Sequence, residues 1–269
     1  MVEGAELLSV ALAAGADVEA VYVAPEGADV PAVVEVTSAV LAGGGRVFDL
    51  APGVMERIAS TVTPQPLLAV VSYAAATWAS VDRATLVVVC VDVRDPGNLG
   101  TVIRTADAAG VDAVVCCAGT VDPTNPKVVR STAGSLFHLP VVQGGTIDEA
   151  LAQLASRGLS TVATVVRGGT DYVAFDWTRP VALVLGNEAA GLDDALAASL
   201  DVGVTVPMAG RAESLNVGVS AAVLCFEALR QRRAGTSPEA VAARSTMSAM
   251  DESATQLPPA PAGGAGVPS

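Results

Sequence analysis

The sequence predicts an α/β protein in which a mainly parallel sheet carries helices on both faces and follows a smaller α/β unit. Apolar runs rich in β-branched residues alternate with helical segments over residues 85–234, a pattern typical of strands buried on both faces. The chain has 269 residues, 51% of them hydrophobic and 16% charged, so it can bury a large core. Glycines and polar residues follow several of the runs directly, where α/β proteins build ligand sites.

The first 74 residues alternate between helical and strand-like segments and predict the small α/β unit. The expected helices are Glu3–Ala14, Pro31–Ala42 and Pro52–Ser60, and the expected strands are Val18–Ala24, Arg46–Leu50 and Pro66–Ser72. Residues 75–84 are rich in small side chains and show no periodicity, so we expect a linker there.

The second part of the chain contains the longer strand-like runs. They are Leu86–Val93, Ala113–Ala118, Thr161–Val166, Val181–Leu185 and Val202–Val206. We expect Asn98 to cap the helix after the first run, and the last helix to extend from Asn216 to about Arg233. The stripe that this first helix buries is expected to contain Leu99, Val102, Ile103 and Ala106. Residues 235–269 lack periodicity and are rich in Pro, Ala, Gly and Ser, which predicts a disordered tail.

The acidic balance of the chain argues against strong binding to a polyanion. The net charge is −13, and residues 1–84 hold 3 basic and 10 acidic side chains. Residues 85–234 hold 11 basic and 15 acidic side chains, so a local basic surface is possible there. Because affinity for nucleic acid depends on cations that neutralise phosphates, we expect any such binding to be weak and salt-sensitive.

Cysteines, apolar runs and the amino-terminal composition restrict the class of protein further. Four cysteines lie in apolar runs without a Cys-x-x-Cys pair, which favours buried reduced thiols. No cluster of side chains has metal-ligand spacing, so no metal is expected, and His138 is expected to be structural. The apolar runs are shorter than the roughly 20 residues of a membrane span, and no targeting signal is evident, so we expect a cytoplasmic protein.

Three polar stretches carry the chemistry of the chain. They are Asp95–Arg104 (DPGNLGTVIR), Leu185–Leu192 (LGNEAAGL) and Val206–Asn216 (VPMAGRAESLN). In the first, Asn98 and Arg104 are six residues apart, about 120° around an ideal helix, so they can flank one cleft without touching. In the second, Gly186 and Gly191 let backbone pass close to a ligand, and Glu188 follows a strand end.

The third stretch places short polar side chains, Ser214 and Asn216, at the electropositive start of the last helix. In order and spacing, the three stretches resemble the motifs of the SpoU family of RNA 2′-O-ribose methyltransferases. The resemblance spans roughly residues 85 to 232 and implies a trefoil-knotted domain over residues 85–234 that uses S-adenosylmethionine. It also implies a homodimer with the cleft near its interface. Ribosomal RNA is favoured over transfer RNA, with 23S rRNA the first choice and a role in antibiotic resistance an open possibility.

The resemblance assigns roles to individual residues. Catalytic roles are implied for Asn98, Arg104, Glu188, Ser214 and Asn216. Backbone at Leu185, Gly186, Val206, Met208 and Leu215 would line the cofactor. Arg130 and Arg104 are candidate RNA contacts. Because an arginine pKa exceeds about 12, we expect Arg104 to bind phosphate or a developing alkoxide, and the proton acceptor stays open.

Residues 1–74 resemble the ribosomal-protein-like RNA-binding domain of many SpoU members. In those relatives a basic segment usually precedes a phrase like Val2-Glu3-Gly4, so either the start lies upstream or this chain has lost that segment. Two other functions stay open: a tRNA 2′-O-methyltransferase, and a catalytically weak RNA-binding protein that keeps the fold. A dinucleotide-binding dehydrogenase is disfavoured because Gly97-Asn98-Leu99-Gly100 does not complete a G-x-G-x-x-G fingerprint.

Overall fold

The computed structural model describes residues 1–59 and 61–235, and the remainder of the predicted tail lies outside this part. Its first sheet has four strands in the order β1-β4-β2-β3. These are β1 (Val2–Glu3), β2 (Val18–Val23), β3 (Arg46–Asp49) and β4 (Leu67–Val71). The helices of this region are α1 (Ala5–Ala13), α2 (Pro31–Ala42) and α3 (Met55–Ile58). Strand β4 runs antiparallel to β1 and β2, whereas β2 and β3 are parallel.

The second sheet has seven strands, all parallel, in the order β7-β6-β5-β10-β8-β11-β9. They are β5 (Leu86–Cys90), β6 (Ala113–Cys117), β7 (Val141–Gly145), β8 (Ser160–Thr164), β9 (Thr170–Asp171), β10 (Val181–Leu185) and β11 (Val202–Thr205). The helices are α4 (Pro96–Ala108), α5 (Pro126–Ser131), α6 (Ile147–Ser156), α7 (Asp194–Ser199) and α8 (Val217–Gly235). The strand order does not by itself define a knot, so the predicted trefoil stays a prediction.

The seven-stranded sheet is covered on both faces, as the apolar runs predict. In β5, Leu86, Val88 and Cys90 face the core that contains α4 and α8. The alternate residues Val87 and Val89 face a second core that contains α6. This arrangement follows from the two-residue period of a strand, which sends successive side chains to opposite faces. The α/β fold class with helices on both faces is therefore confirmed.

The predicted stripe on α4 is fully buried, since Leu99, Val102, Ile103 and Ala106 all have no exposed surface. All four cysteines are free and buried, and burial raises the pKa of Cys117 and of Cys225 to about 12. The thiols of Cys117 and Cys225 are therefore protonated at neutral pH, and all four cysteines are unpaired, as expected. Within residues 1–59 and 61–235, no helix combines the length and apolarity that crossing a bilayer demands.

Several local predictions differ from the structure. The strands β1 and β9 are not predicted, because each is only two residues long, whereas β7 is the apolar strand expected after His138. Within the described part of the helix expected over Pro52–Ser60, only α3 forms, and Ser60 lies outside the described residues. The expected linker contains a 3₁₀ turn at Trp78–Val81, and Ala76 forms a bridge with Val142 of β7.

Candidate functional site

The three polar stretches meet at one edge of the seven-stranded sheet. Strands β5, β10 and β11 are parallel, so the loops that follow them leave the sheet at its carboxyl edge. A cleft opens there between the loop after β10, the loop after β11 and the start of α8. The side chains and backbone that line it include Leu185, Gly186, Glu188, Val206, Met208, Ser214, Leu215 and Val217.

Asn98 does not cap α4, so that prediction is wrong. The cap is Asp95, whose Oδ1 accepts a hydrogen bond from the backbone N–H of Asn98 at 2.9 Å. Pro96 occupies the first helical position, where its missing N–H costs nothing. Asn98 therefore lies in the first turn, and its side chain is released from capping to contact the other loops.

A chain of hydrogen bonds joins all three loops through this side chain. The backbone N–H groups of Gly218 and Val219 donate to Asn216 Oδ1 at 2.9 and 3.3 Å, so Asn216 caps α8. Asn216 Nδ2 donates to Asn98 Oδ1 at 2.8 Å. Asn98 Nδ2 in turn donates to Glu188 Oε1 at 3.2 Å. The chain ends on a carboxylate, which fixes the direction of every amide along it.

Glu188 is held at the junction of the first two motifs by backbone donors. Its Oε1 accepts from the N–H of Asp95 at 2.9 Å and from the N–H of Arg94 at 3.1 Å. Burial opposes ionisation of this carboxyl and is the largest single influence on it, but the hydrogen bonds together outweigh burial. They hold the pKa of Glu188 below its ordinary value, so the group remains a carboxylate that can accept further hydrogen bonds.

The loop after β10 is closed by reciprocal backbone hydrogen bonds between Asn187 and Gly191, at 3.0 and 2.9 Å. Gly191 has a left-handed φ of 69°, which glycine adopts without strain. A Cβ at Gly186 would lie 2.3 Å from the carbonyl carbon of Gly191, so only glycine fits there. The result is a compact turn whose backbone forms one wall of the cleft.

Helices α4 and α8 approach closely beside the asparagine pair. A Cβ on Gly218 would lie 2.8 Å from Thr101 Cγ2, so a glycine is required for this packing. Asn98 lies in the first turn of α4, and Asn216 caps α8. The close packing of the two helices therefore sets the distance between these side chains.

Most of the predicted site residues line the cleft, Asn98 and Asn216 connect to it through hydrogen bonds that end on Glu188, and Arg104 and Arg130 are not among its lining residues. The predicted cofactor residues Leu185, Gly186, Val206, Met208 and Leu215 line the cleft, together with Glu188 and Ser214. Arg104 is exposed on α4 and is not among the residues that line the cleft. The expectation that Asn98 and Arg104 flank one cleft stays a prediction, because neither of them is among the residues that line this cleft. Arg130 lies 3.7 Å from Glu3 Oε2, and so connects α5 to the first sheet.

Sequence reasoning missed three residues that organise the same edge. Asn187 Nδ2 donates to the backbone carbonyl of Asp92 at 2.9 Å, and Asn187 Oδ1 accepts from the N–H groups of Ala189 and Ala190. Arg94 Nε donates to Asp92 Oδ1 at 2.8 Å, and this hydrogen bond raises the pKa of Arg94. The signal was present, since Asp92 and Arg94 interrupt the apolar run directly before Asp95. His138 lies away from the cleft, where its Nδ1 is 3.5 Å from Asp107 Oδ2.

Comparison with known proteins identifies the family. The model of the SpoU rRNA Methylase family matches residues 85–226, which contain all three polar stretches. The chain belongs to the SpoU rRNA methylase family. One relative, the 23S rRNA (guanosine(2553)-2′-O)-methyltransferase RlmP of Bacillus subtilis, is 40% identical over 183 residues. That match covers 68% of this chain and 72% of the relative.

Two solved methyltransferase structures align with most of this chain. The methyltransferase AviRb from Streptomyces viridochromogenes, in complex with AdoMet, superimposes with a TM-score of 0.77 at 30% identity, covering 86% of this chain and 89% of that chain. The AdoMet-bound rRNA methyltransferase from Sinorhizobium meliloti gives a TM-score of 0.75 at 33% identity and covers 85% of each chain. Both alignments are too long for residues 85–226 alone, so they extend into residues 1–84.

Proposed function

We propose that this protein transfers a methyl group from S-adenosylmethionine to a ribose 2′-hydroxyl of 23S ribosomal RNA. The observation that carries the proposal is the hydrogen-bond chain from Glu188 through Asn98 to Asn216, at the edge of a cleft formed by the other two motifs. The relatives named above support the substrate, since RlmP is a 23S rRNA 2′-O-methyltransferase. Ribosomal RNA as substrate also favours the predicted cytoplasmic location.

The cleft suits a nucleoside with a charged tail. Leu185, Val206, Met208 and Leu215 supply apolar walls for a flat base. Residues 207–215 make no hydrogen bond to any other described residue, so their backbone polar groups are available to a ligand. The absence of a Cβ at Gly186 lets the main chain approach closely. When bound, S-adenosylmethionine supplies an electrophilic methyl group.

The chain's own residues would orient the attacking hydroxyl. A side-chain amide offers two N–H groups and two lone pairs, and the hydrogen-bond chain uses one of each at Asn98. The second N–H and the second lone pair of Asn98 are therefore left to hold a ribose hydroxyl. Glu188 fixes the orientation of this amide, and Ser214 lies close by in the cleft. The positive charge of Arg104 would stabilise the developing alkoxide.

We propose that the active form is a homodimer in which Arg104 reaches the cleft of the second copy. Arg104 is exposed and outside the cleft of its own chain. Helix α8 also exposes a stripe of apolar side chains, since Val219 is 47% and Phe226 48% accessible. These two residues are seven positions apart and therefore lie on one face, which a second copy would cover.

A mixing experiment tests this arrangement. Arg104→Ala and Asn98→Ala are each expected to be inactive, but a mixed dimer would contain one intact cleft. With random mixing, about a quarter of the wild-type activity should return. If Arg104 acts within its own chain, both clefts of the mixed dimer are defective and no activity returns.

We further propose that residues 1–74 bind RNA, that residues 75–84 connect them to the methyltransferase domain of residues 85–234, and that no metal takes part. The contact between Arg130 and Glu3 supports a fixed relation between the two parts, although it leaves the role of Arg130 toward RNA to be measured. Arg130→Ala is the direct test of that role, with RNA affinity as the readout.

The substrate is tested by incubating the protein with labelled S-adenosylmethionine and separated 23S rRNA, 16S rRNA and transfer RNA. Label in 23S rRNA, located at a 2′-O-methylated ribose, is the expected result. Label confined to transfer RNA would instead support the tRNA alternative. Cofactor binding without transfer to any RNA would indicate an RNA-binding protein that has kept the fold.

A further inference from the structure

Arg94 joins the site through its backbone and carries an exposed guanidinium that contacts Asp92. Its N–H donates to Glu188 Oε1 and Oε2 at 3.1 and 3.2 Å, so its main chain is part of the site. Its side chain is nevertheless 72% accessible. Arg94 Nε donates to Asp92 Oδ1 at 2.8 Å, and the two terminal nitrogens have no hydrogen-bond partner among the described residues.

The carboxylate that holds Arg94 is itself held by its surroundings. Asp92 has a left-handed φ of 55°, a conformation that Asp tolerates better than most residues. Its backbone carbonyl and its Oδ2 accept from Asn187 Nδ2 at 2.9 and 3.4 Å. A Cβ at Gly119 would lie 2.8 Å from Asp92 Oδ1, so a glycine leaves room for the carboxylate. Asp92 is thus fixed, and it fixes one side of the guanidinium.

The charge at this corner makes the arginine significant. Asp92, Asp95 and Glu188 place three carboxylates around the start of α4, which would repel a polyanion. Arg94 is the cation that the described contacts place beside them. Nε of Arg94 is already bonded to Asp92. The two terminal nitrogens of the guanidinium can therefore donate to two oxygens of one phosphate.

We propose that Arg94 binds a phosphodiester of the RNA substrate near the ribose that is methylated, and that Asp92 positions its guanidinium for this contact. The inference rests on the proposed function for its substrate, and it goes beyond that function by naming a residue that selects for the RNA backbone. Asp92 acts through Arg94, so its role is one of positioning.

The test uses the full-length protein and 23S rRNA. Arg94→Ala should weaken RNA affinity and raise KM for RNA about tenfold or more, with KM for S-adenosylmethionine unchanged within about twofold. The slope of log affinity against log salt should become shallower by about 0.7 to 0.9, as expected for the loss of one phosphate contact. Arg94→Lys should fall between the wild type and Arg94→Ala, because it keeps the charge but loses the fork.

The matched control is Arg179→Ala. Arg179 is also exposed, and it lies before β10 at the opposite edge of the sheet, where its guanidinium is over the ring of Phe175 at 5.7 Å. Its removal changes the net charge by the same amount and should leave KM for RNA near the wild-type value. Equal effects of the two substitutions would overturn the proposal, as would a rise in KM for S-adenosylmethionine alone.

A double-mutant cycle with Arg94 tests the positioning role of Asp92. Asp92→Asn keeps a residue that tolerates the left-handed conformation but removes the charge that holds Arg94. It should weaken RNA affinity in the wild-type background and have little effect in the Arg94→Ala background. The same loss in both backgrounds would exclude positioning through Arg94.

Failure of the proposed function gives a different result. If the wild-type protein transfers no methyl group but Arg94→Ala still weakens RNA binding, the assigned reaction is wrong and the phosphate contact stands. If Arg94→Ala and the wild type bind RNA equally, the phosphate contact is overturned whatever the activity.

Discussion

At the amino edge of the seven-stranded sheet, charged side chains bind backbone groups, whereas at the carboxyl edge polar side chains also bind one another across a cleft. At the amino edge, Asp112 Oδ2 accepts from the N–H groups of Thr85 and Leu86 at 2.7 and 2.9 Å. Asp201 Oδ2 likewise accepts from the N–H of Thr161 at 2.7 Å. Each carboxylate therefore caps the start of a strand.

Arg232 completes the amino edge from the end of α8. Its guanidinium donates to the carbonyl oxygens of Trp177, Thr85 and Arg179 at 2.9, 2.8 and 3.0 Å. Burial lowers the pKa of this arginine, and the nearby carboxylate of Asp112 partly opposes that effect. The donors and acceptors here are largely satisfied within the chain, so they stabilise the fold and offer little to a ligand.

At the carboxyl edge, some hydrogen-bond donors and acceptors have no partner among the described residues. Asn98 retains one N–H and one lone pair beyond the chain of hydrogen bonds, and residues 207–215 make no hydrogen bond to other described residues. The comparison teaches that residue type alone does not separate structural from functional groups. What separates them is whether their partners within the chain are sufficient, and substitutions at the two edges should therefore fail in different ways.

The largest effect is expected at the carboxyl edge. Asn98→Ala removes the side chain shared by Glu188 and Asn216 and should lower kcat at least about 100-fold. The free energy of unfolding should change little, because Asp95 and not Asn98 caps the helix. Methyl transfer and thermal unfolding of the same preparation check both statements. Near-wild-type kcat would remove Asn98 from the mechanism.

The next largest effect is expected at the amino edge, where a substitution should lower stability and leave kcat unchanged. Arg232→Met leaves three carbonyl oxygens without their donor and should lower the free energy of unfolding by about 2–3 kcal/mol. At a temperature where the protein is still folded, kcat should match the wild type. A loss of kcat in the folded variant would show that the two edges are not independent.

The sequence predicts much of the difference between the two edges, and the residues that it misplaces have physical explanations. Strand–loop patterns placed Glu188, Gly186 and Ser214 at strand or helix ends, and the structure brings them into one cleft. The cap of α4 was predicted one turn too late, because Asp95 and Asn98 are both good capping residues and only the position of Pro96 decides between them. Periodicity places Arg104 on an exposed face of α4 but does not specify which cleft it serves, because that depends on how helices and subunits pack.

A third prediction concerns the packing of α4 against α8, which sets the distance between Asn98 and Asn216. Gly218→Ala would place a Cβ 2.8 Å from Thr101 Cγ2 and should lower the free energy of unfolding by about 1–3 kcal/mol. Because it also separates α4 from α8, it should lower kcat as well. Thr101→Ser removes the clashing methyl group, so the double variant should recover part of both losses. Additive losses would exclude this contact as the cause.

The smallest expected effect is a difference in acid sensitivity between the edges. The backbone hydrogen bond from Thr161 holds the pKa of Asp201 below its ordinary value of 3.8, so its contribution to stability is present above that pH and is lost as pH falls through the lower folded-state pKa. Asp201→Asn should flatten the acid limb of the stability curve and leave kcat unchanged. Because the carboxylate is exposed, solvent screening should keep the difference below about 1 kcal/mol.

Glu188 at the carboxyl edge should respond to acid through catalysis. Its pKa is also held below the ordinary value of 4.5, so the carboxylate and the amide orientation of Asn98 should persist throughout the pH range above that value. Glu188→Gln places an amide N–H group beside the N–H donors of Arg94, Asp95 and Asn98, which need an acceptor. It should therefore lower kcat at every pH at which the wild type is folded. Wild-type kcat in Glu188→Gln at neutral pH would show that the site does not require the carboxylate.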